Sequence, residues 1–236
     1  KKFSISFLVH STMIRPENFF KALTDQGIDF FTGVPDSLLK DFCAYVTDHT
    51  DKSQHIIAAN EGNAIGLAAG HYLATGSPAL VYLQNSGQGN TVNPLTSLAD
   101  QEVYSIPFLL LIGWRGEPGV HDEPQHVKQG KITLTLLDTL GIPYDVLSET
   151  DEDATRSVEK AHQSMLTRSA PYALVVRKGT FEEYKLQRIV STAYTLKREE
   201  AIKLIVDGLD KDDIIVSTTG MTSREFFFVL LLASVS

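Results

Sequence analysis

Between Ile28 and Val176, short apolar runs alternate with longer stretches in which apolar residues recur every three or four positions. The runs IDFFTGV (28–34), HIIAA (55–59), ALVYLQ (79–84), PFLLLIG (107–113), YDVLS (144–148) and YALVVR (172–177) are rich in aliphatic and aromatic residues. They are apolar at nearly every position, as strands buried on both faces are. Between them, SLLKDFCAYVTD (37–48) puts Leu38, Phe42, Tyr45 and Val46 on one helical face. GNAIGLAAGHYLAT (62–75), NPLTSLADQEVY (93–104), KITLTLLDTLG (131–141) and DEDATRSVEKAHQSML (151–166) carry helical patterns too. Six strands and five crossovers predict an α/β fold, a doubly wound six-stranded parallel sheet with helices on both faces. After Val176 the pattern lapses into the polar stretch 182–197 and then restarts with a helix (198–209) and a strand, DIIVSTTG (213–220). The expected organisation is a domain over 13–180, a linker over 181–196 and the incomplete start of a second domain over 197–236.

With 21 Lys and Arg against 29 Asp and Glu, the net charge of −8 disfavours nucleic acid and anionic membrane surfaces as partners. Cys43 is the single cysteine, so an internal disulfide and a thiolate zinc site are excluded, which fits a reducing, cytoplasmic setting. Residues 1–12, with two lysines and a short apolar run but no small-residue cleavage pattern, are expected to be a non-native or disordered leader before Met13. The C-terminal run FFFVLLLASVS is far shorter than the ~20 residues that span a bilayer.

Ligands of open parallel sheets gather at the carboxyl ends of the strands, and four exits stand out. In TGVPDSLL, Gly33 and Pro35 make a tight exit; Asp36 or Ser37 can cap the next helix, and Asp36 can alternatively serve proton transfer. In AANEGNAIGLAAG, Glu61 opens a helix along which Gly62, Gly66 and Gly70 form a bare stripe, suited to close packing of another backbone, across a dimer axis or within the unit. A carboxyl group there is either a partner of the helix dipole or a desolvated acid that holds or shares a proton. QNSGQGNTVNP (84–94) offers Asn85, Ser86, Gln88 and Asn90 beside glycines; it is not a complete phosphate-binding glycine motif, and Gln84 breaks the hydrolase pattern around Ser86. Residues 113–130 read as a long polar loop in which Arg115, His121, His126 and Lys128 can meet an anionic substrate. As an alternative, His121, Asp122, Glu123 and His126 can gather a metal ion.

FFTGVPDSLLKDF, AANEGNAIGLAAGHYLATG, VYLQNSGQGNTVNPLTSL and LLLIGWRGEPGVHDEPQHVKQG together resemble the pyrimidine-binding domain of thiamin diphosphate-dependent decarboxylases, over residues 13 to about 225. The resemblance implies that Glu61 hydrogen-bonds the cofactor's aminopyrimidine ring and favours the tautomer that removes the thiazolium proton. It puts Val34 and Pro35 near the cofactor's reactive end, Asp36 where related decarboxylases use an aspartate in protonation, His126 where some relatives carry a catalytic histidine and others a glutamine, and Asn85 and Gln88 at the border of the same cavity. Ser37, Arg115, His121 and Gln125 are the candidate contacts to a small 2-keto acid carrying a phosphonate or a sulfonate. Family members bind the cofactor's diphosphate through Mg²⁺ in a second domain, so no metal ligand is expected among the residues discussed. This sequence has no Gly-Asp-Gly motif, and after Arg224 it departs from the family's continuation. The resemblance further implies a homo-oligomer with its site between subunits and a chain that is not competent alone. A non-catalytic binding module of the same fold is the alternative from another class.

Overall fold

The computed structural model describes residues 13–188, 193–210, 212–218 and 220–233, so the expected leader lies outside the described residues. The chain forms two compact units, one ending at Arg188 and the other beginning at Ile189. The first unit is built on six parallel strands: β1 (Phe31–Gly33), β2 (His55–Ile57), β3 (Leu80–Gln84), β4 (Leu109–Gly113), β5 (Tyr144–Val146) and β6 (Tyr172–Val176). Their spatial order is β2-β1-β3-β4-β6-β5. The chain moves outward from β1 to β2 and returns to place β3 on the other side of β1, which creates a topological switch point between β1 and β3.

Alternation along the strands explains why the runs are apolar throughout. Leu80, Tyr82, Leu109, Leu111, Tyr172 and Leu174 face a core that also contains Phe19, Phe42, Val46, Val158 and Met165. Val81, Leu83, Leu110, Ile112, Ala173 and Val175 face the opposite core, with Ile65, Ala68, Leu95, Trp114 and Leu137. Helices α1 (Pro16–Asp25), α2 (Lys40–His49) and α6 (Asp151–Arg168) thus cover one face; α3 (Glu61–Thr75), α4 (Gln88–Pro94) and α5 (Pro124–Thr139) cover the other.

Several elements differ from the sequence expectation. Helix α1 was not anticipated; Pro16 sits at its first position, where a missing N–H costs nothing, and Phe19, Ala22 and Leu23 are buried along one side. The helix expected over 93–104 instead starts at Gln88, directly after a 3₁₀ turn (Asn85–Gly87), and widens into a π-turn (Leu95–Ala99) past Pro94. Pro94 has no N–H to continue the helical ladder, and the chain leaves helical geometry at Asp100. Helix α5 begins at Pro124 rather than 131, so the loop after β4 spans only 114–123. Residues 182–188 belong to the first unit: Tyr184, Gln187 and Arg188 donate backbone N–H bonds to Asp41 and Asp48 of α2.

In the second unit, α7 (Arg198–Asp207) and α8 (Met221–Ala233) are joined by Arg198, whose Nε and Nη2 each lie 2.6 Å from the Glu225 carboxylate. The strand expected over 213–220 is absent among the described residues, because a lone apolar run finds no neighbouring strand with which to pair its backbone.

Candidate functional site

The exits of β1, β2 and β3 meet at the switch point. Glu61 is the first residue of α3, and Asn60 caps that helix by accepting the N–H of Asn63 on Oδ1 at 2.9 Å. The Glu61 side chain lies across the β3 exit: Asn90 Nδ2 donates to its Oε2 at 2.7 Å, and a methyl group at Gly87 would stand 2.3 Å from Oε1. Glycine at 87 thus leaves room for the carboxylate to rest there. The group is half-buried, and its surroundings are an amide and a glycine backbone rather than the apolar groups expected from the stripe. Oε1 accepts no hydrogen bond from the described residues.

Asp36 is 5% exposed. Its Oδ2 accepts the N–H of Leu38 at 3.0 Å, and it lies over Gly113, where a methyl group would come within 2.1 Å of it. Oδ1 is buried and has no hydrogen-bond partner among the described residues. Burial pushes this carboxyl above the ordinary range, against the pull of the Leu38 N–H and the nearby Arg115 charge. The result is an acid that keeps its proton more readily than a free aspartate.

The loop after β4 is folded around Asp122. Arg115 presents Nε and Nη2 to its two oxygens at 2.8 and 2.6 Å, His126 Nδ1 lies 3.0 Å from Oδ1, and the N–H groups of Gly116 and Glu123 add two more bonds at 2.8 Å. The bidentate arginine, followed by the histidine and amides, holds the Asp122 carboxyl far below the usual range. Arg115 Nη1 also donates to Ser37 Oγ at 3.0 Å, which ties this loop to the β1 exit. A methyl group at Gly130 would stand 1.7 Å from the Gly116 oxygen, so the loop lies directly on the first turns of α5.

Two further sequence-based assignments bear on this region. Asn85 and Gln88 are buried, and their side-chain amides are hydrogen-bonded within the unit. Asn85 Nδ2 donates to the Arg115 oxygen and to Thr133 Oγ1, both at 2.8 Å; its Oδ1 accepts the Arg115 N–H, and Gln88 Nε2 donates to the Thr133 oxygen at 3.3 Å. These amides fasten the β3 exit to β4 and α5. The alternative metal site is not formed: among the described residues, no group of three or more His, Cys, Asp or Glu side chains is placed to hold an ion.

Of the remaining candidates, Val34 is half-buried and donates its N–H to the Tyr82 oxygen at 3.1 Å, whereas Pro35, Ser37, His121 and Gln125 are exposed. His126 lies within the Asp122 cluster, and Gln125 is exposed. Asn90, Gly87, Gly113 and Thr133 were not anticipated in these roles. For Asn90, Gly87 and Gly113 the sequence signal is proximity to the strand exits, and Thr133, inside α5, has none; which acid rests on which glycine is decided by packing across the sheet. Asp122 was anticipated only as a metal ligand.

The family described as "Thiamine pyrophosphate enzyme, N-terminal TPP binding domain" matches residues 16–137. A phosphonopyruvate decarboxylase of Streptomyces viridochromogenes is 29% identical over 91% of this chain and 57% of its own length. The sulfopyruvate decarboxylase subunit alpha of Methanococcus maripaludis is 36% identical over 68% of this chain and 92% of its own. The chain thus spans little more than half the length of the Streptomyces relative and nearly all of the Methanococcus one. Among solved structures, a thiamine diphosphate-dependent 4-hydroxybenzoylformate decarboxylase of Rhodococcus jostii RHA1 shares the fold at TM-score 0.52 and 21% identity, over 81% of this chain and 37% of that one. A thiamin diphosphate-dependent enzyme from Mycobacterium smegmatis does so at TM-score 0.53 and 17% identity, over 81% and 36%. An acid seated at the switch point of a parallel sheet, and a sequence match running through it, lead to one conclusion: this chain belongs to the thiamine pyrophosphate enzymes and carries their N-terminal TPP-binding domain.

Proposed function

We propose that this chain contributes the pyrimidine half of a thiamin diphosphate-dependent decarboxylase that converts 3-phosphonopyruvate to phosphonoacetaldehyde and CO₂. The observation that carries this reading is the state of Glu61, pinned through Oε2 by Asn90, resting on Gly87, and with no hydrogen-bond donor to Oε1 among the described residues. An acid fixed at one oxygen and open at the other fits the ring nitrogen of an aminopyrimidine, which needs one directed hydrogen bond. When bound, the cofactor supplies a carbon nucleophile for the 2-keto group and an electron sink for the carbanion left by CO₂.

The chain's own residues then have separable tasks. Glu61 holds a proton towards the cofactor's ring through Oε1, and Asn90 keeps it from swinging away. Asp36, protonated more readily than a free aspartate because of its burial, holds the proton that replaces CO₂ on carbon. Asp122 keeps His126 and Arg115 in place, and through Arg115 it steadies Ser37 at the cavity mouth. The diphosphate, with its Mg²⁺, is assigned to a second domain supplied by a partner subunit or a longer chain, and the assembled enzyme to a homo-oligomer with the site between subunits. The net negative charge and single cysteine support a cytoplasmic setting.

The test is Glu61→Gln in the presence of cofactor, Mg²⁺ and the diphosphate-binding half: turnover is expected to fall by roughly 10²–10⁴, the range for a positioned proton-transfer group. Unchanged turnover removes the role. A second reading, sulfopyruvate as substrate, is supported by the 92% coverage of the Methanococcus alpha subunit. Competition between the two keto acids in one steady-state assay decides between them by their kcat/KM values.

A further inference from the structure

A cleft of about 380 Å³ opens beside the β1 exit, lined among others by Ser37, Lys40, Arg115, His121, Lys178 and Phe181. Its cations are not equivalent. Arg115 has Nε and Nη2 committed to Asp122 and Nη1 to Ser37, so its charge is already balanced and its fork is occupied. Lys40 lies 2.8 Å from the Asp41 carboxylate. Arg177, one residue before Lys178, pairs with Glu117 at 2.8 Å and holds the loop after β4 against the end of β6. Lys178 itself makes no ion pair or hydrogen bond among the described residues. It is set in place by the turn that follows, where Gly179 has φ +82 and Thr180 Oγ1 donates to the Arg177 oxygen at 2.9 Å.

We propose that Lys178 is the residue that selects the substrate's distal anionic group, its ammonium meeting the phosphonate while the Ser37 hydroxyl donates a hydrogen bond to the same oxygens. This rests on the decarboxylase reading and deepens it. Arg115, the residue that sequence favours for this task, is instead a positioning residue that holds Ser37. Lysine suits the role because a compact, rotatable ammonium can follow a tetrahedral oxyanion without needing the planar match of a guanidinium. The cleft is lined by Ser37 and Leu38, the two residues that follow the buried Asp36 on the β1 exit.

The experiment uses the holoenzyme assembled with cofactor, Mg²⁺ and the diphosphate-binding half. Lys178→Ala is expected to raise KM for 3-phosphonopyruvate at least tenfold with kcat changed less than threefold, the pattern of lost uniform binding, and to leave KM for pyruvate unchanged because pyruvate has no distal anion. Lys178→Arg should restore most of the affinity. Independently of turnover, phosphonoacetate titrated into the same preparation should bind the wild type at least tenfold more tightly than Lys178→Ala. Equal KM values, or equal phosphonoacetate binding, in wild type and Lys178→Ala overturn the assignment. If Glu61→Gln meanwhile abolishes turnover, the decarboxylase reading stands without it. A wild type that turns over neither keto acid overturns the decarboxylase reading itself, and the titration still judges the anion site.

Discussion

A methyl group at Gly87 would stand 2.3 Å from Glu61 Oε1, whereas one at Gly33 would stand 2.0 Å from the backbone oxygen of Tyr82. The same substitution thus has opposite consequences at the two sites. In Gly87→Ala the obstacle is the end of a side chain, so the carboxylate swings aside, turnover falls at least tenfold, and the melting temperature stays within about 2 °C of wild type, less than ~1 kcal/mol for a domain of this size. In Gly33→Ala the obstacle is the neighbouring strand, and forcing β1 from β3 costs about 1–3 kcal/mol, readable as a drop of several degrees. Asp36 gives a prediction of another kind. Its carboxyl titrates above 3.8 in the folded chain, so the folded state binds more protons than the unfolded one in that window and loses stability as pH rises through it. At neutral pH Asp36 is therefore a net cost. Asp36→Asn should unfold at a higher urea concentration than wild type at pH 7, the gap should close as pH falls towards 3.8, and turnover should be lost. A less stable Asp36→Asn at pH 7 would contradict the assignment of burial as the dominant influence.

The strands were legible in the sequence because each is buried on both faces, and nothing in a continuous apolar run depends on distant partners. The helix starts were read unevenly: α6 and α7 begin at Asp151 and Arg198 as expected, whereas α4 and α5 do not begin where the pattern placed them. Helix α4 begins at Gln88 and runs through Gly89 and Asn90, two residues with weak intrinsic preference for a helix, and forms there because Asn85 and Gln88 find their partners on the loop after β4 and on α5. Glu61 was legible as an isolated acid on a glycine-striped helix, whereas the carboxylate hub at Asp122 was not, since its partners come from a loop and from His126 on α5, brought together where Gly116 meets Gly130. Thr133, buried in the middle of α5, tests that fastening: its Oγ1 accepts from Asn85 and donates to the Gln129 oxygen at 2.8 Å. Thr133→Val keeps the shape and removes both bonds. It should cost about 1–3 kcal/mol in chemical denaturation, the price of leaving a buried amide short of an acceptor. A loss below ~0.5 kcal/mol would mean that the amide finds another partner.

On the scale of the whole molecule, the stripe on α3 shows a feature that sequence left open. Ala64, Ile65, Ala68 and Ala69 face the core, while Gly66 and Gly70 are exposed, a methyl group at either would meet nothing within 4 Å, and Leu73 on the same side is 69% exposed. Gly66 and Gly70 therefore do not serve packing within the unit, unlike Gly62, which lies against the Asn90 oxygen, and each lowers helix stability by about 1 kcal/mol relative to alanine. Under the proposal of a homo-oligomer, they keep the α3 surface flat enough for a second copy. Gly66→Ala and Gly66→Arg separate the two effects. Both should raise or preserve the thermal stability of the unit, since the site is open and both residues favour helix more than glycine does. Only the arginine, which projects well beyond the helix surface, should shift the assembled enzyme towards monomer in sedimentation velocity and cut its activity in proportion to the monomer fraction. An arginine variant that sediments as wild type would remove α3 from the interface and leave its bare stripe without a role in assembly.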